Sequence, residues 1–217
     1  MTDHPLPFTA SQIRAMLDGR KTQDRRVIKD APGPGWHCDP SPTGLRWVAD
    51  GGAPSMPVRL KYAVGDRIWV RESWRATDTF NGWKPGDIPS HNTPFYEARP
   101  SGDSIPELGP LRSPIHMPRW ASRLTLIVES VRVQRLWEIS ESYAKAEGAY
   151  VGKASNRVAD DYATMAIAGA WFVTARGWYR DLWNRLHGPD AWSLNPWVAA
   201  IGFRVIRANI DSPEAQS

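Results

Sequence analysis

Between Leu124 and Leu136 the side chains alternate as a half-buried strand requires. Leu124, Leu126 and Val128 share one face. Past Glu129-Ser130 the apolar set shifts to Val131 and Val133, which predicts a bulge or tight bend at that point. A second alternation, Trp197, Ala199, Ile201, Phe203 and Val205, predicts another long strand, and Asn195-Pro196 turns the chain into it. Strands of this length need neighbours for their backbone N–H and C=O groups, so the chain must build a sheet around these two segments.

Proline marks where regular structure is unlikely to extend. Of 19 prolines, six lie between residues 30 and 57 and seven between Pro85 and Pro114. These two stretches, about 30–60 and 77–114, read as long loop insertions. Trp36 and Trp47 pin the first, with room for a hairpin at Leu45–Val48; Phe95–Ala98 is a strand candidate in the second. Ile68-Trp69-Val70 after the Gly65-Asp66 turn is a compact strand. If it runs on, Glu72 shares a face with Ile68 and Val70, so its carboxylate needs an arginine or backbone amide as partner.

The first helix runs from Phe8 to Gly19, with Ser11 as N-cap, Ile13, Met16 and Leu17 on its buried face and Gly19 ending it. Ser140 caps a helix over Glu141–Glu147 that Gly148 ends. A longer helical region covers Val158–His187, with Trp171, Ala175, Trp178, Leu182 and Leu186 as its stripe and Gly169 or Gly177 as a break point. Ser113–Arg123 is a basic connector with two prolines, and 209–217 is a polar tail. The expected fold is one α+β domain spanning 1–217, a small mixed β-barrel with flanking helices and the two insertions.

Composition sets outer limits. Of 217 residues 41% are hydrophobic and 23% charged, enough for a packed core. No apolar run approaches the ~20 residues that cross a bilayer, and Asp3, His4 and two prolines exclude a signal peptide, so a cytoplasmic protein with no membrane partner is expected. The single cysteine, Cys38, has no second cysteine for a structural zinc site; no metal and no cofactor motif is found. A formal charge of +4 permits a polyanionic partner.

The densest charge is the stretch Gly19-Arg20-Lys21-Thr22-Gln23-Asp24-Arg25-Arg26. Its bland reading is a solvated turn in which Asp24 pairs locally with Arg20 or Arg26. Arg25 and Arg26 otherwise serve as anchors for a polyanion or as partners for buried acids. Trp74 and Trp120 read as packing residues ahead of base-stacking platforms.

Five blocks carry a resemblance: Gly19–Gln23, Gly65–Glu72, Ile115–Arg123, Ala146-Glu147-Gly148 and Asn195-Pro196-Trp197. In this order they resemble the ASCH domain of the PUA-like superfamily, most closely the long ASCH proteins of phages and prophages. The resemblance covers most of the chain outside the two insertions and the tail. It implies a small β-barrel whose cleft is lined by the Gly-Arg-Lys-Thr turn, and RNA or a modified nucleoside as partner. Compact bacterial ASCH proteins similar in the first block are N4-acetylcytidine amidohydrolases. Their catalytic lysine and glutamate match Lys21 and Glu147; their threonine position is Asp24. The implied catalytic set is therefore Lys21, Asp24 and Glu147, with Thr22, Arg26, Glu72 and Trp74 as substrate-binding residues. Other ASCH proteins are proposed ribonucleases or RNA binders, which leaves a nuclease and a non-catalytic reader as alternatives.

Asp24 changes the chemistry. A carboxylate is a poor nucleophile for an amide, and beside Lys21 it favours the ammonium form. Two routes remain. Asp24 is itself a general base for water with Lys21 stabilising the oxyanion, or Thr22 supplies the hydroxyl. In an extended segment Thr22, Asp24 and Arg26 share one face, and Lys21 and Gln23 the other. Glu147, near a helix C-terminus, wants a cationic partner such as Lys21.

Overall fold

The computed structural model describes residues 1–42, 44–98, 108–149 and 174–216. Its centre is a five-stranded mixed sheet. The two long alternating segments form β9 (Thr125–Arg135) and β10 (Trp197–Ile206), antiparallel neighbours. On β9 lies β6 (Arg67–Arg71), also antiparallel, and beyond it β1 (Asp3–Pro7), parallel to β6. On the other side of β10 lies β2 (Gln23–Val27), giving the order β1-β6-β9-β10-β2. The bulge predicted near Glu129 is present: Gly202 pairs with Ser130 and Phe203 with Val128, so Glu129 is the extra residue.

The chain starts with an unexpected strand. Pro5 and Pro7 speak against regular structure, but β1 is an edge strand, where a missing N–H is tolerated. Helix α1 (Ala10–Leu17) follows; its N-cap is Thr9 rather than Ser11, and Thr9 and Gln12 form a reciprocal capping box. Ile13 and Met16 are buried against Leu6, Phe8, Val70, Leu126, Ile201 and Phe203, the core under the sheet.

The first insertion is not a loop. It folds as an antiparallel meander of β3 (Trp36–Ser41), β4 (Gly44–Ala49) and β5 (Ser55–Pro57). Its strand prolines, Pro40 and Pro57, fall on the outer two strands, and the central strand has none. Trp47 is buried and meets the ring of Trp197 edge-on at 4.9 Å, tying the meander to β10. Just before the second insertion, β7 (Trp74–Arg75) pairs with β8 (Phe95–Tyr96) inside it. Trp74, Ile88, Met117 and Ala121 pack into a separate cluster there.

A third cluster joins α2 (Glu141–Ala146) and α3 (Ala175–His187) to the sheet through Ala144, Trp178, Tyr179, Trp183 and Val198. Of the expected stripe on α3, Ala175 and Trp178 are buried and Leu182 is partly so, but Leu186 is exposed; Tyr179 and Trp183 complete the buried face. Gly177 lies inside the first turn, where its N–H donates to the Thr174 cap. Trp171 and the expected helical residues 158–173 lie outside the described residues. The polar C-terminal stretch is bound to the body: Ile210 is buried, and Asp211 pairs with Arg119. The architecture is α+β. No helix among the described residues is long and apolar enough to cross a membrane.

Candidate functional site

The turn after α1 is fixed from three sides. Gly19 takes φ +74°, a left-handed conformation that glycine adopts without strain. Arg20 and Lys21 both donate their backbone N–H to Ala15 O. Thr22 N–H donates to Ala146 O at the end of α2, and Phe203 N–H of β10 donates to Thr22 O. Lys21 and Glu147 form an isolated backbone bridge. The turn therefore lies between the C-terminus of α2 and the part of β10 that faces the bulge in β9.

This brings Lys21, Asp24 and Glu147 together. Lys21 Nζ lies 2.9 Å from Asp24 Oδ1 and 3.1 Å from Glu147 Oε2, and it donates to Gln23 O at 2.7 Å. Lys21 is 0% exposed, Asp24 3% and Glu147 2%. Lys21 reaches Asp24 although strand alternation sets them on opposite faces. The reason is that β2 begins only at Gln23, and the long lysine side chain runs forward beside its first residues to Gln23 O and Asp24 Oδ1.

Two arginines complete the ion cluster. Arg25 Nη1 donates to Glu147 Oε1 at 2.5 Å, and Arg26 Nε donates to Asp24 Oδ2 at 2.6 Å. Arg26 is the half-exposed member; its Nη2 reaches Pro7 O on β1. Glu147 thus has the cationic partners its position demanded. Gly148, at φ +103°, makes the fit possible: a Cβ there would stand 3.0 Å from Ala15 Cβ and 3.3 Å from Lys21 Cβ.

The charges follow from this geometry. Burial opposes a charged Lys21, but Asp24 and Glu147 outweigh it and raise the ammonium pKa above the ordinary 10.5. Burial likewise pushes Asp24 up, and Arg26 and Lys21 together bring it below its usual 3.8. For Glu147 burial wins, and the carboxyl is raised above 4.5 against the pull of Lys21 and Arg25. The cluster contains an ammonium and a carboxyl that binds a proton more readily than usual.

Thr22 faces elsewhere. It is exposed and lines an open surface recess of about 440 Å³ with Met16, Ser130, Phe203 and Arg204. Glu72 and Trp74 belong to the other insertion's end of the sheet. Glu72 is buried and takes a bidentate pair from Arg123, Nε to Oε1 at 2.9 Å and Nη2 to Oε2 at 2.8 Å. Burial raises its carboxyl above 4.5 despite that arginine. Trp74 is 0% exposed and meets Trp120 edge-on, a packing role.

Residues to which the sequence assigned no role also enter the site. Gln23 Nε2 donates to Glu147 Oε1, while Arg132 Nη2 donates to Gln23 Oε1 at 2.6 Å. Tyr143 and Tyr179 set their rings against Arg25. The one available signal was Arg132, a cation between Val131 and Val133 in a strand. No family model, no curated protein and no solved structure matches the chain.

Proposed function

We propose that the chain is an ASCH-type, PUA-like protein that binds RNA or a modified pyrimidine nucleoside and hydrolyses the N4-acyl amide of N4-acetylcytidine-type substrates. The observation that carries this reading is the convergence of Asp24 and Glu147 on the Lys21 ammonium within 3.1 Å. These are the three positions that the resemblance assigns to hydrolysis, and Glu147 lies 126 residues from Lys21. One contact suits the barrel of that family: Arg26 Nη2 on edge strand β2 donates to Pro7 O on edge strand β1.

The electrostatics favour Glu147 as proton carrier and Lys21 as electrostatic catalyst. Water attacks the acyl carbon as Glu147 takes its proton. The oxyanion forms against the Lys21 ammonium. Collapse breaks the bond to N4, and the proton on Glu147 passes to the leaving amine, giving the cytidine and a carboxylic acid. Asp24 keeps Lys21 charged and in place. Substrate reaches the cluster on the side of Arg26, its half-exposed member.

A non-catalytic reader is the second reading. It is favoured by the near-complete burial of the cluster and by Thr22, the local hydroxyl, facing the separate recess. Incubation with N4-acetylcytidine separates the two. Loss of its long-wavelength absorbance supports hydrolysis. No turnover at high enzyme concentration, with RNA affinity falling steeply with salt, supports the reader.

A further inference from the structure

Arg25 enters the centre of the fold from β2, and its side chain is 0% exposed. Nη1 is used on Glu147. Nε and Nη2 face no acceptor among the described residues. Those two nitrogens make the guanidinium edge whose parallel N–H bonds match the two oxygens of a carboxylate or phosphate. Elsewhere this protein uses that edge in this way. Arg67 sets it on Asp3 at 2.8 and 2.9 Å, and Arg123 sets it on Glu72 at 2.9 and 2.8 Å. Arg119 sets it on Asp211. A buried charged donor without an acceptor destabilises the fold, and such groups are uncommon unless they serve a site.

Among the described residues the surroundings are short of negative charge. Lys21, Arg25, Arg26 and Arg132 stand against the carboxylates Asp24 and Glu147. Arg132 joins the group through Gln23, and its Nε likewise faces no acceptor among the described residues. Aromatic rings wall the place. Arg25 Cζ lies 5.6 Å from the ring centre of Tyr179 and 6.0 Å from that of Tyr143, and Arg132 Cζ lies 4.0 Å from Tyr143. An apolar wall strengthens any charge-assisted bond made beside it.

We propose that Arg25, supported by Arg132, is an oxyanion-binding subsite that takes a phosphate or carboxylate group on its Nε–Nη2 edge. Such a group balances the cationic excess and satisfies the buried donors. The subsite goes beyond the hydrolytic reading and needs no turnover. It would make a phosphorylated nucleotide or an RNA phosphate a better ligand than the bare nucleoside.

The test is a titration of the full chain followed by arginine side-chain ¹H–¹⁵N spectra. The Arg25 Nε–H signal is identified by its proximity to the Tyr179 ring, and independently by its loss in Arg25→Lys if that variant folds. Inorganic phosphate, acetate, cytidine and cytidine monophosphate are added in separate arms. A saturable displacement by phosphate or acetate is expected, and the stronger of the two identifies the source of the oxyanion. Cytidine monophosphate should displace the signal at lower concentration than cytidine. A signal that phosphate, acetate and cytidine monophosphate all leave unmoved, or move without saturation, overturns the subsite. Because no turnover is read, an inactive protein that still shows the displacement would sink hydrolysis and leave the subsite standing.

Discussion

Lys21 has three protons to donate and four oxygens around it: Gln23 O, Asp24 Oδ1, Glu147 Oε2 and Glu147 O. Lys21→Met would leave two carboxylates buried with one cation fewer. The expected loss is about 3–5 kcal/mol in urea unfolding, the range for breaking a buried pair from one side. A change near zero would mean the carboxylates relax to solvent. The same charges set the pH profile of the proposed hydrolysis. A base with its pKa raised above 4.5 is ionised only above that raised value, so the rate climbs with pH there. An ammonium raised above 10.5 stays charged through neutrality, so the rate then stays level to beyond 10.5. A rate that climbs through the lysine range instead would make Lys21 the base.

Among the elements, α2 and the turn after α1 are locked together at Gly148. Gly148→Ala would force a side chain into a left-handed conformation and against Ala15. A destabilisation of about 1–3 kcal/mol is expected, measured by denaturant unfolding. Strands β9 and β10 were readable because alternation survives in them for many residues, and even the bulge left its mark at Glu129-Ser130. Strand β1 was not, since Pro5 and Pro7 read as loop until an edge position excuses them. At the site, Lys21 and Glu147 were found through their matched blocks. The parts of Gln23, Arg132 and Tyr179 were not legible, although Gln23 lies in a matched block, because only the pairing β9-β10-β2 and the packing of α3 bring them to the cluster.

Across the whole molecule, the meander of the first insertion is part of the fold, fastened by Trp47 to Trp197. Trp47→Ala should cost about 3–5 kcal/mol and lower the thermal midpoint of the entire protein in one transition. A separate early transition would show the meander to be an independent appendage. Glu147, with Lys21 and Arg25, and Glu72, with Arg123, are both buried carboxyls raised above their ordinary 4.5. The proposed chemistry belongs to Glu147 alone of these two. Turnover of N4-acetylcytidine by the wild-type chain and by folded Glu147→Gln tests that assignment most directly. Cytidine and acetate in equal amounts are expected from the wild type, with a loss of at least about a hundredfold in rate for Glu147→Gln, within the usual contribution of a general base. Equal rates in the two proteins, or no turnover by the wild type, would contradict it.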